Sequence, residues 1–297
     1  MNADFVKLVK DEYEKIQNGE SCFYIGEGNP DADILIIGNE CAINDNDQCL
    51  EDEDERRKNK ESIVAEDNVK KWKELLDRGY DVGDIRRELN DYKGVPDNSK
   101  YYPLFPWLGQ RCIVRTEVKK GDNKKKKPRG ENGTALTWVQ YQKLIDWIYG
   151  EEFDRNNFID FHLNAFHTEL SQIPRKSSDR KYNKETDDSI QKRMKELFGN
   201  PFFRRFPVVI IAAGHYVKKY KIDNSTNRLT IEKVFDVEYN KDDKGKSGWI
   251  NLHKSSDSRR LLLHTKHFAE RAKNDDYIKE IAEFASPYIE RPNKQKL

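Results

Sequence analysis

The stretch CFYIGEGNPDADILIIGNECA, residues 22–42, decides how this chain folds. Ile34, Leu35, Ile36 and Ile37 form an unbroken apolar run, β-branched at three of its four positions. A strand with one wet face would alternate apolar and polar residues. A continuous run predicts a strand covered on both faces, the signature of a parallel sheet flanked by helices. Gly26, Gly28, Asn29 and Pro30 supply turn chemistry before it, and Gly38 ends it.

Three further segments read as strands of the same sheet. NNFIDFHLNAFHTEL, 156–170, is filled by Phe158, Ile159, Phe161 and Leu163, with Asn164 and His167 expected at its end. PVVIIAAG, 207–214, is of the buried type and ends at Gly214, with His215 next. RRLLLHTKHFAER, 259–271, stops its apolar run on His264, followed by Thr265, Lys266 and His267. KVFDVEYNKDDKGKSGWINLHK, 233–254, suggests one or two exposed strands around a turn at Asp242 to Gly245.

Helical periodicity fills the intervals. Phe5, Val6, Leu8, Val9, Tyr13 and Ile16 predict a helix over 3–18, and one or two more fall within 61–90. Thr134 is a candidate cap for a helix whose face carries Trp138, Tyr141, Leu144, Ile145, Trp147 and Ile148. Helices are also expected over 187–199 and 274–289. The alternation predicts an α/β protein, a three-layer α/β/α sandwich with a mostly parallel central sheet. With no repeat and no linker, one domain over 1–297 is expected, carrying a basic flexible insertion at 117–133.

Composition narrows the function classes. Hydrophobic and charged residues each make up 36% of the 297, so the core is concentrated in these few segments, and 11% aromatic residues argue against disorder. Net charge is +1, from 54 basic and 53 acidic residues. Whole-chain charge therefore makes no case for nucleic acid, and any such case rests on local patches such as Lys124 to Lys127. No run approaches the roughly 20 apolar residues of a membrane span, and MNADFVKLVKDEYEKIQ lacks a signal-peptide core. A cytoplasmic, monomeric protein without membrane contact is the expectation. Cys22, Cys41, Cys49 and Cys112 form no C-x-x-C pair, so no metal and no cofactor are expected. The acidic stretch within 44–60 lacks the glycine of an EF-hand loop and reads as a solvated loop. G-x-G-x-x-G, P-loop and G-x-S-x-G motifs are absent, which argues against dinucleotide, nucleoside-triphosphate and serine-hydrolase chemistry.

In an open parallel sheet, ligands bind outside the carboxyl ends of the strands. The residues after each buried run are therefore the candidates: Gly38, Asn39, Glu40 and Cys41; Asn164 and His167; Gly214 and His215; His264, Thr265, Lys266 and His267. Glu40 or Asn39 can hold a water or stabilise a developing cation. Asn164 offers a donor pair and an acceptor, which suits the edge of a base. His264 can donate to a carbonyl as negative charge grows on a leaving group. YYPLFPWLGQRC, 101–112, offers stacking rings in Phe105 and Trp107.

These segments resemble the uracil-DNA glycosylase superfamily. IIGNECA, 36–42, is similar to its first motif, a strand with a glycine-led loop of the GQDPY, GEAPG or GINPG type. LNAFH is comparable to the strand carrying its uracil-recognising asparagine, VVIIAAG to the third strand, and LLLHTKHFA to the last strand with its HPSP loop. The resemblance spans roughly 20–285. It implies a glycosylase-like fold, DNA as partner, and hydrolysis of the N-glycosidic bond of a flipped uracil-like or modified base. It implies Phe105 or Trp107 stacking on the base, Asn164 reading its edge, Glu40 with Asn39 orienting water, and His264 stabilising the departing base. Gly38, Lys266 and His267 would line the site, with Lys266 and the basic loop on phosphates. No proline follows Gly38, and HTKH replaces HPSP. The alternative reading is a non-catalytic nucleic-acid or nucleotide-binding module on the same fold. Rivals from other classes are a small-molecule hydrolase using Glu40 and His264, and a protein-docking scaffold.

Overall fold

The computed structural model describes residues 1–39, 53–79, 103–106, 110–114, 134–173, 184–222, 228–247, 249–268 and 275–290. Helices α1 (Ala3–Gln17), α2 (Glu53–Asp77), α3 (Leu136–Ile148), α4 (Lys184–Lys192), α5 (Pro201–Arg204), α6 (Thr230–Phe235) and α7 (Asp275–Ala285) surround one seven-stranded sheet. Its strands are β1 (Glu27–Gly28), β2 (Ile34–Gly38), β3 (Ala165–Glu169), β4 (Val208–Ile211), β5 (Glu238–Lys244), β6 (Ile250–Lys254) and β7 (Leu261–Thr265). They lie in the order β1-β3-β2-β4-β7-β6-β5. The central four, β3, β2, β4 and β7, are parallel, while β1, β6 and β5 add antiparallel edges. The protein is thus α/β with a mixed sheet that is parallel in its centre.

The reading of Ile34 to Ile37 follows directly from the packing. Leu35 and Ile37 join Phe166, Val209, Ile211 and Leu262 in a core completed by α1, α2, α5 and α6. Ile34 and Ile36 join Ala165, Val208, Ile210, Leu261 and Leu263 in a second core, completed by α3 and α7. Successive strand residues point to opposite faces, so helices on both faces demand apolar residues at every position.

Several boundaries differ from the sequence reading. The second strand begins at Ala165, because Phe161–Leu163 closes a single 3-10 turn before it. Asn164 and His167 therefore do not follow the strand. Glu53 to Lys60, read as loop, belongs to α2, and KVF at 233–235 ends α6 rather than starting a strand. Thr134 is not the cap of α3. Ala135 holds that position, and the Thr134 amide donates to the Ile113 carbonyl at 2.7 Å. The 117–133 basic insertion lies outside the described residues. Cys22 and Cys112 are buried free thiols, and burial pushes them up to about 11 and about 12. No helix among the described residues is long and apolar enough to cross a membrane.

Candidate functional site at the carboxyl edge of the sheet

Numbering the parallel strands by chain order, β2 and β4 flank the point where strand order reverses, with β3 on one side and β7 on the other. A crevice outside the carboxyl ends is expected there. Gly38 pairs with Glu169, the Ala212 amide donates to the Ile37 carbonyl at 2.9 Å, and Ile211 pairs with His264. These residues form one row at the carboxyl edge. Pairing runs past the strands, with Leu170 N–H donating to Gly38 O and Ser171 N–H to Asn39 O, both at 2.9 Å. Asn39 is thereby held at the mouth of the edge, and its buried Oδ1 meets no hydrogen-bond partner among the described residues.

Glu169 reaches this row only because position 38 is glycine. A Cβ there would lie 2.3 Å from Glu169 Oε2. Tyr141 of α3 closes the same face, 5.6 Å from His167 and 5.3 Å from Phe268 between ring centres. Burial, helped by the Glu169 charge, holds the Tyr141 phenol well above its ordinary range, so it stays protonated. Arg193 fixes the end of β3 from the other face. It donates to the carbonyls of Glu169 and Tyr24 and to Thr168 Oγ1, at 3.1, 2.9 and 3.1 Å.

The β4–β7 side of the edge is aromatic and basic. His264 is fully buried, with Nε2 2.7 Å from the Gly214 carbonyl. A carbonyl only accepts, so Nε2 carries the proton and the ring is neutral. Burial pushes its pKa down to about 3, partly offset by that hydrogen bond. Nδ1 is a buried acceptor with no partner among the described residues. The His264 ring meets the edge of Trp249 at 4.8 Å, and the exposed His215 stacks on Trp249 at 4.9 Å. The exposed Lys218 places Nζ 3.9 Å from the Trp249 ring centre.

The structure brings together only part of the predicted set. Gly38 and Asn39 stand at the edge with Gly214 and His264, and half-buried Lys266 and His267 follow β7. The Lys266 amide donates to the Tyr277 hydroxyl at 3.0 Å, which pins that loop to α7. Asn164 is a correction. It precedes β3, at the amino end of the sheet, because the 3-10 turn ends one residue before the strand starts. Phe105 is a second correction. Its ring is 1% exposed and packs in the core, so it offers no free stacking face. Glu40 and Trp107 lie outside the described residues.

Sequence reading missed His162 and Glu169 and gave His167 no role. His162 and His167 are five apart, which in a continuous strand means opposite faces. The 3-10 turn breaks that period and lets both reach the α3 side, beside Trp138. Glu27 joins them, since β1 pairs antiparallel with β3 and sets Glu27 directly opposite His167. One ligand atom from each of Glu27, His162 and His167 lies within 4.8 Å of the other two. The usable signal was the spacing H-x4-H-x-E over 162–169, next to a glycine-flanked Glu27.

No protein-family model and no curated protein matches the chain. The functional reading therefore rests on residues and geometry.

Proposed function

We propose that this chain is a divergent uracil-DNA glycosylase-like protein that hydrolyses the N-glycosidic bond of a flipped base at the carboxyl edge of its parallel sheet. One observation carries the reading. The four motif-bearing strands lie side by side and parallel, so the loops after β2, β4 and β7 leave from a single edge. Residues from distant parts of the sequence then meet where a doubly wound sheet binds ligands.

The roles shift from those expected. Asn39, with its buried carbonyl oxygen, takes over from Asn164 as the reader of the base edge. Glu40, the next residue in sequence, keeps the role the resemblance implies, orienting the attacking water and stabilising the developing sugar cation. His264 acts as a positioning residue, neutral and tied to Gly214, holding the loop that carries Lys266 and His267. Lys218 and His215 around Trp249, with Lys266, meet phosphates beside the pocket.

A second reading, the non-catalytic binding module, is favoured by one feature of the same site. The only proton of His264 already goes to Gly214, leaving no donor for a departing base. Base release from labelled single- and double-stranded DNA separates the two. The panel holds uracil, hypoxanthine, thymine mismatches and modified cytosines. Release that disappears in Glu40→Ala and falls in Asn39→Ala supports the hydrolase. Salt-sensitive DNA binding without release supports the module. Neither release nor binding removes the nucleic-acid reading altogether.

A further inference from the structure

We infer that Glu27, His162 and His167 form a binding site for a divalent transition-metal ion of the Zn2+ or Fe2+ class. The site lies on the β1–β3 side of the sheet and is independent of the base-excision reading.

Buried ring nitrogens carry the argument. His162 is 0% exposed and His167 2% exposed. Both nitrogens of His162 and Nδ1 of His167 meet no hydrogen-bond partner among the described residues. Taking a polar group out of water without a partner costs about 1–3 kcal/mol, and a metal ion would compensate one nitrogen on each ring. Among the described residues, the neighbours of these rings are aromatic. Phe161 packs on the His162 ring at 3.8 Å between centres, with Phe105 at 6.4 Å and Trp138 at 6.2 Å, and Trp138 lies 5.0 Å from His167.

The backbone is built to bring the three together. Cross-strand pairing puts the Glu27 and His167 side chains on one face. His162 arrives on the 3-10 turn, whose carbonyl accepts from Asn29 N–H at 2.8 Å, locking the turn to β1. Gly28, at φ +98°, makes the approach possible. A Cβ there would lie 2.3 Å from the Ala165 carbonyl oxygen and 3.2 Å from His162 Cδ2.

The donor set selects the ion. Two imidazoles and one carboxylate suit Zn2+, Fe2+ and their neighbours, whereas Ca2+ and Mg2+ prefer oxygen ligands. Ligand bonds of about 2.0–2.2 Å require the three atoms to close in by roughly 1 Å, within the reach of side-chain rotation. Glu169 Oε1, 3.7 Å from His167 Nε2, is placed to orient that ring from behind. Three protein ligands leave at least one coordination position for water or substrate.

The test uses the full chain, dialysed against chelator and then titrated with Co2+ and with Zn2+. One Co2+ per chain is expected, with visible absorption bands of a nitrogen- and oxygen-ligated ion. Zn2+ at 100 times its Kd should raise the thermal midpoint by about 4 °C. His162→Gln and His167→Gln should each weaken Co2+ binding by more than about tenfold. Glu27→Gln, on a two-residue edge strand, guards against misfolding of the buried variants and should weaken binding equally. His215→Asn, on the exposed aromatic stack, should leave binding intact. Absence of Co2+ binding, or binding that all three ligand variants retain, overturns the inference. Because the readouts are stoichiometry, spectrum and stability, failure of DNA base release leaves them unaffected.

Discussion

The carboxylate of Glu169 occupies the space that a side chain at position 38 would fill. Oε2 lies 2.3 Å from where the first carbon of that side chain would stand. Gly38→Ala must therefore displace the carboxylate. The displaced atom is the tip of a flexible side chain, so folding stability should change by less than about 1 kcal/mol in urea denaturation. A misplaced group at the edge should still cost base release or DNA binding about 100-fold. Equal losses of stability and function would mean that the edge only supports the fold.

Gly26 gives the contrasting case. Its φ is +131°, and a Cβ there would lie 2.4 Å from the His167 carbonyl oxygen and 2.8 Å from Phe166 Cε1. Neither backbone nor core ring can step aside. Gly26→Ala should destabilise by about 3 kcal/mol or more, read from urea midpoints, while Gly19→Ala, whose Cβ would meet nothing within 4 Å, should cost much less despite its φ of +73°.

Acid should loosen the fold through His264. Its folded pKa is depressed to about 3 from an ordinary 6.5. As pH falls below 6.5, the unfolded chain takes up a proton that the folded chain refuses, so stability falls with pH down to about 3. The slope from this one group is at most about 1.4 kcal/mol per pH unit. His264→Asn should flatten the plot of unfolding free energy against pH between 6 and 4. An unchanged slope would show that His264 is charged in the native state.

Asp146 works in the opposite direction. Burial lifts its carboxyl to about 7, nearby Asp160 adds to the rise, and the Gln142 amide opposes it. Between pH 4 and 7 the folded chain keeps a proton that the unfolded chain has lost. This contribution to stability is therefore largest near pH 4 and fades as pH rises through 7. Asp146→Asn should remove the fade and be the more stable protein at pH 8, as thermal midpoints at pH 5 and 8 would show.

Arg193 ties the end of β3 to the segment before β1 through the Glu169 and Tyr24 carbonyls, and it is fully buried. A lysine has no planar fork to reach both carbonyls and Thr168. Arg193→Lys should lose about 2–4 kcal/mol in urea denaturation and weaken every function of the edge. A loss below about 1 kcal/mol would mean that water replaces the guanidinium.

The α/β class and the central strands were legible because local rules govern them. Ile34 to Ile37 and Val208 to Ile211 are apolar at consecutive positions, which only a doubly covered strand requires. Gly38 and His264 were found at the edge because the apolar runs end there. The hairpin of β5 and β6 was expected, but its turn falls after Lys244 rather than at Asp242 to Gly245, and its place beside β7 was not visible.

The rest was decided by tertiary structure. Nothing local separates a strand over 156–170 from a turn followed by a shorter strand, and that difference moved Asn164 to the far end of the sheet. The same turn put His162 and His167 on one face, and a two-residue pairing of β1 with β3 brought Glu27 to them across more than 130 positions of sequence. Local sequence determines which residues seek burial and where regular structure stops. Which distant polar groups share a pocket depends on strand pairing and on backbone closeness at Gly28 and Gly38, and only the packed sheet supplies these.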